Sequence, residues 1–226
     1  HSLSVLRYKG IYAPTNIAPP FDDKLRILQD EESICQRAIA CMMLGTYTQL
    51  LMSTNGDSVQ AYRSMEEMIH MYQASSYFTV HEIEYLNDRN PNRMDVGEYE
   101  HYFECAYVLL WMLGLYTTLY FPSAFCAKET VMKAIFHYAS AGKMAKKAKL
   151  RKKGALLNAM DLNQRYVWAC RDAQKLGFAM PQGLCHEVVR MRHHAFHWVV
   201  GRQEIGWDEV HPKIASLKLK GSDFLK

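Results

Sequence analysis

The chain has 226 residues, 49% hydrophobic and 22% charged, the balance of an ordinary globular protein with apolar material enough for a core without disulfides or metal. Twelve glycines and seven prolines are few for this length and argue against a strand-and-turn fold. The net charge of +4 is local: Lys143, Lys146, Lys147, Lys149, Arg151, Lys152 and Lys153 supply seven positive charges, and without those seven the rest is at −3, which excludes a basic surface spread over the whole body.

Leu3 and Leu6 stand at helical spacing between Ser2 and Tyr8, and Gly10 stops that first helix. Residues 11–30 contain Pro14, Pro19 and Pro20 and read as an extended arm. Asp30 is a helix N-cap followed by Glu31 and Glu32, and the helix it opens runs to about Met52 with Ile34, Ala38, Cys41 and Leu44 on one face. Asp57 caps a second helix striped by Val59, Tyr62, Met65, Ile69 and Tyr72. Thr79 and Glu82 stand at capping-box spacing and start a short helix ended at Asn90 and Pro91. Asp95 to Glu98 offers a further cap. The helix after it, to about Gly114, is apolar nearly all round from Cys105 to Leu115 and is expected to be central and buried.

Phe121 and Pro122 break the chain, and Tyr116 to Tyr120 has the composition of a short strand. A helix from about Lys128 to Ser140 precedes a basic connection over 142–153, of which 144–153 is alternatively an extension of the next helix. Residues 155–176 form a long helix closed by Gly177, and 185–200 form the last one, ended by Gly201. Residues 202–226 read as an irregular tail. The expectation is one all-α domain over 1–226, with about seven helices.

Six stretches resemble one bacterial family, designated domain of unknown function 4272: Ser4–Ile11, Glu32–Ala38, Glu104–Leu115, Ala159–Ala173, Arg192–Trp198 and Trp207–Asp208. Their order and spacing cover nearly the whole chain. The resemblance implies a helical domain and highlights Trp111, Arg165, Trp168, Asp172, Arg192, Trp198, Trp207 and Asp208. It brings no activity, cofactor or catalytic residue. One departure is Met191, where an acidic residue is common in the family, so no acid precedes Arg192 here.

Asp161, Arg165, Trp168 and Asp172 follow 4-3-4 spacing and share one helix face, on which Asp161 reaches Arg165 one turn on. Such a face binds an anionic ligand through Arg165 with Trp168 as a platform, or it is an inter-helix network to Arg192 or His194 that fixes packing. The ligand-site candidates are therefore Arg165, Trp168, Asp172, Arg192, His194 and Trp198. His193 and His197 are four apart, but Arg190 on the same face opposes a metal, and it replaces the second histidine of an H-E-x-x-H reading that starts at His186. No metal site, catalytic residue or cofactor is expected. Cys170 and Cys185 lie near histidines without a nucleophile signature, and phosphate-loop motifs are absent.

The basic run lacks interleaved aromatics and reads as a solvated connection more than as a nucleic-acid contact. None of the six cysteines forms a C-x-x-C pair, so reduced thiols and a cytoplasmic location are expected. No apolar segment approaches the ~20 residues of a membrane span. Together these readings favour a non-catalytic module that binds a protein partner, in one form an accessory or immunity-type protein. The alternative is a small-ligand binder or enzyme with a polar site between the two C-terminal long helices. The oligomeric state is not set by the sequence.

Overall fold

The computed structural model describes residues 2–13 and 24–210. Within them lie ten α-helices and a two-residue antiparallel ribbon, the all-α architecture expected. The helices are α1 (Ser2–Tyr8), α2 (Glu31–Ser53), α3 (Ser58–Tyr72), α4 (Val80–Asn87), α5 (Arg93–Tyr99), α6 (Tyr102–Met112), α7 (Lys128–Phe136), α8 (Ala141–Ala145), α9 (Lys153–Leu176) and α10 (His186–Val199). Half of the expected arm, 14–23, and most of the expected tail, 211–226, lie outside the described residues.

The core is built around α2 and α6, which pack chiefly on each other. All eleven residues of α6 are buried, as its unbroken apolar sequence requires. The α2 helix is buried almost as completely, from Ile34 to Thr48 save for Gln36, so its interior reaches beyond the single face seen in the sequence. Gly45 sets the crossing: a Cβ there would lie 2.6 Å from the Phe103 ring, so only a hydrogen lets the helices meet at that distance. One buried charge sits in α2, Arg37, and it is 5% exposed. Its Nη2 donates to both carboxylate oxygens of Glu82 on α4, at 2.8 and 2.7 Å, and its guanidinium lies 4.8 Å over the Trp207 ring.

Local chemistry fixes the ends. Asp30 accepts from the Ser33 N–H and Asp57 from the Gln60 N–H, while Thr79 and Glu82 form a reciprocal capping box. Gly177 closes α9 at φ 70°, in the left-handed region. The single helix expected from Asp95 to Gly114 is instead two. Asn92 is the cap of α5, accepting from the Met94 and Asp95 N–H groups, and the chain turns at Glu100 and His101 before α6. The helix expected to reach Ser140 stops at Phe136, and Ser140 instead caps α8. Residues 116–120 form no strand, because their carbonyls are bonded by side chains.

Residues 146–152 do not extend α9, since the Lys149 and Arg151 N–H groups donate to Leu113 O and Met112 O at the end of α6. Residues 207–210 are helical where an irregular tail was expected, and Trp207 and Val210 are buried. Strand β1 (Arg26–Ile27) pairs with β2 (Val200–Gly201), tying the chain before α2 to the end of α10. Helix α1 packs on α9, where Leu6, Ile11, Tyr166, Cys170 and Val189 form a second, smaller core.

Candidate functional site

Arg192 sits on the buried face of α10 and is 3% exposed. Its Nε donates to Glu104 Oε2 of α6 at 3.0 Å, and its Nη1 donates to Tyr120 O at 2.6 Å. The guanidinium lies 5.3 Å from the Tyr107 ring. Glu104 is fully buried, and its other oxygen accepts from the Cys126 N–H. Both carboxylate oxygens are thus occupied, as burial of a carboxylate requires.

Between α6 and α7 the chain crosses in front of Arg192 as an irregular strap, residues 115–127, held by side chains. Arg151 lies 4.5 Å over the Trp111 ring, donates from Nε to Trp111 O at 2.7 Å, and from Nη2 to Tyr116 O and Thr117 O at 2.7 and 3.1 Å. The Tyr107 hydroxyl donates to Thr118 O at 2.8 Å and accepts from the Tyr120 N–H at 3.4 Å. The Cys185 N–H donates to Pro122 O at 2.8 Å. Backbone that would otherwise need a helix or sheet is satisfied by two arginines and a tyrosine.

Two openings flank the strap. One, of about 460 Å³, is walled by Tyr107, Tyr116, Tyr120, Phe121 and Phe125. The other, of about 690 Å³, opens between the strap and α9 and reaches Lys9, whose ammonium is 4.2 Å from the Phe121 ring centre. Arg192 lines both. Tyr116 lines the first; its hydroxyl is buried with no hydrogen-bond partner among the described residues, and burial pushes its pKa up to about 12, so it stays a proton donor at neutral pH. Arg192 Nη2 likewise takes no partner among the described residues.

The sequence candidates fall in three places. Asp161 and Arg165 are both buried, and Arg165 Nε lies 3.2 Å from each Asp161 oxygen, the pair their spacing implies. Trp168 is half-buried, its ring 6.0 Å from Tyr12 and edge-on to it; Asp172 is half-buried one turn further. His194 and Trp198 turn to the Trp207 ring, at 4.2 and 5.4 Å. Arg192 lines the two clefts, and Arg165, Trp168, Asp172, His194 and Trp198 do not. Arg192 turns to Glu104 and Tyr120, not to the Asp161 and Arg165 face. Glu104, Tyr107, Tyr116, Tyr120 and Arg151 were not singled out in the sequence. The signal for Glu104 was there: an acid opening an apolar helix needs a cation, and α6 supplies none.

His193 and His197 stack with ring centres 4.2 Å apart. Neither nitrogen of His193, nor Nε2 of His197, has a hydrogen-bond partner among the described residues. Burial drives the His193 pKa well down, helped by His197, Arg171 and His194, and burial takes His197 to about 4, so both rings are neutral at pH 7. Among the described residues no three His, Cys, Asp or Glu side chains cluster as a metal site would need. Burial raises the Cys170 thiol to about 12 and keeps it protonated. Cys185 Sγ lies 3.7 Å from Glu187 Oε2, and the His186 ring also turns to Glu187.

Fold and site together define an all-helical protein with an arginine-floored aromatic cleft under a side-chain-pinned strap. The family model for Domain of unknown function (DUF4272) matches residues 1–210, and the chain belongs to that family. No curated protein and no solved structure matches the chain. No helix among the described residues is long and apolar enough to cross a membrane.

Proposed function

We propose that this is a binding protein without chemistry of its own, and that what it binds is a small molecule held in the cleft beside the strap. The observation that carries the reading is Arg192, a buried guanidinium at the base of an aromatic-walled opening within the usual volume of ligand sites. Aromatic walls with a few convergent polar groups are the common composition of such sites. The six free thiols favour a reducing compartment, hence a cytoplasmic location in a bacterium.

A thermal-shift screen against metabolites tests it. A ligand held at 100 times its Kd stabilises by about 2.7 kcal/mol, roughly 5–10 °C for a domain of this size. The expected result is a hit that disappears in Ala124→Trp, which places an indole in the mouth of the 460 Å³ cleft from an exposed position. A hit that survives this substitution sinks the reading.

The second reading is a protein partner. Tyr12 is 74% exposed beside Trp168, and Tyr8 is 91% exposed at the end of α1, a paired aromatic surface of the kind interfaces use. Capture of one defined partner, lost in Tyr8→Ser/Tyr12→Ser, together with an empty metabolite screen, would select it.

A further inference from the structure

We infer that the cleft takes a small aromatic monocarboxylate, an inference that rests on the small-ligand reading above. Its polar groups define what they recognise. Glu104 is engaged by Arg192 Nε and the Cys126 N–H and does not line the cleft. What remains is on the donor side. Arg192 has Nη2 still to satisfy, and the Tyr116 hydroxyl is buried without a partner among the described residues. Both residues line the same cleft, with the Arg192 guanidinium and the Tyr116 ring centre each 5.3 Å from the Tyr107 ring. Two donors lining one cleft match one acceptor group with two oxygens.

Charge narrows the class. Arg192 is ion-paired with Glu104, 3.0 Å away. A phosphate ester brings about 1.5 to 2 negative charges and three acceptor oxygens, more than one compensated guanidinium and one phenol can hold in a desolvated site. A carboxylate brings a single charge and two oxygens. Lys9 adds positive potential across the shared Phe121 ring. The walls, Tyr107, Tyr120, Phe121 and Phe125 among them, favour a planar body that stacks or packs edge to face.

The test is titration of the whole protein with benzoate, indole-3-acetate, benzamide and phenyl phosphate, followed by ligand-observed NMR. Benzoate and indole-3-acetate are expected to bind saturably, benzamide roughly ten-fold more weakly because it lacks the charge-assisted bond, and phenyl phosphate no better than benzamide. The double variant E104Q/R192Q keeps the packing without leaving a buried charge, and should weaken the carboxylates roughly ten-fold. Tyr116→Phe should weaken them several-fold with the fold intact, and Ala124→Trp should abolish binding. If benzamide or phenyl phosphate binds more tightly than benzoate and Ala124→Trp blocks it, the carboxylate class is overturned and the ligand cleft stands. If no probe binds, or binding ignores Ala124→Trp, the cleft is not the site and the class falls with it.

Discussion

Acid should destabilise this protein through His197, by an amount its surroundings set. In the folded chain His197 is buried beside His193 and its pKa falls from 6.5 to about 4, whereas in the unfolded chain it returns to the ordinary imidazole range. The unfolded state therefore binds more protons between those values. The stability that depends on a neutral ring is complete above pH 6.5 and is lost progressively as pH falls toward 4. At pH 5 the loss from this one ring is about 2 kcal/mol, a drop in Tm of roughly 4–8 °C. His193, held down by burial and by His197, Arg171 and His194, acts in the same direction.

The assay is urea unfolding at pH 7.5 and 5.0 for wild type and His197→Leu. Carboxylates and the more distant histidines titrate alike in both, so the difference between the two pH dependences reports His197 together with its push on His193. Wild type should lose about 2 kcal/mol more than the variant over this interval. Equal losses would refute the argument, because they would mean that His197 gains a proton as readily folded as unfolded.

Two further substitutions test the core. Gly45→Ala sets a helix-propensity gain of about 0.5–1 kcal/mol against an overlap with Phe103 of about 1–3 kcal/mol, so the net expectation is a loss of about 1–2 kcal/mol in urea unfolding, relieved in G45A/F103L. A more stable Gly45→Ala protein would mean that the ring yields freely. Arg37→Ala should lose about 3–5 kcal/mol by leaving Glu82 charged and buried, while R37M/E82Q should recover most of that loss and keep the cap on Thr79; equal losses in the two would show that packing, not charge, carries the effect.

Much of the fold was legible because it is local. The caps at Asp30, Asp57 and Thr79 and the stop at Gly177 each depend on residues within one turn. The Asp161–Arg165 pair followed from spacing for the same reason. Arg192 was visible as a charge among core residues, but its partners were not: Glu104 is 88 positions away and Tyr120 is 72. Nothing within one helix turn points to either. Arg151 was hidden in a lysine run whose charge suggested solvent, whereas its planar guanidinium spans three carbonyls at once. The turn at Glu100 and His101 was missed because the apolar pattern continues across it, and Trp207 was missed because a single helical turn carries no period.

The β1–β2 ribbon and Trp207 have a consequence for how the chain is made. The long apolar helix α2 emerges early in synthesis, yet its entrance is tied by Ile27 to Val200, its neighbour Leu28 bonds Val199 O, and its buried cation is covered by Trp207. All three seals are among the last described residues to leave the ribosome. Until then α2 offers a nearly all-apolar surface with an uncovered ion pair, the kind of exposed segment that draws chaperones and aggregates when crowded. Emergence of residues 199–207, whatever follows them, is the step that lets α2 close its entrance and cover its buried cation.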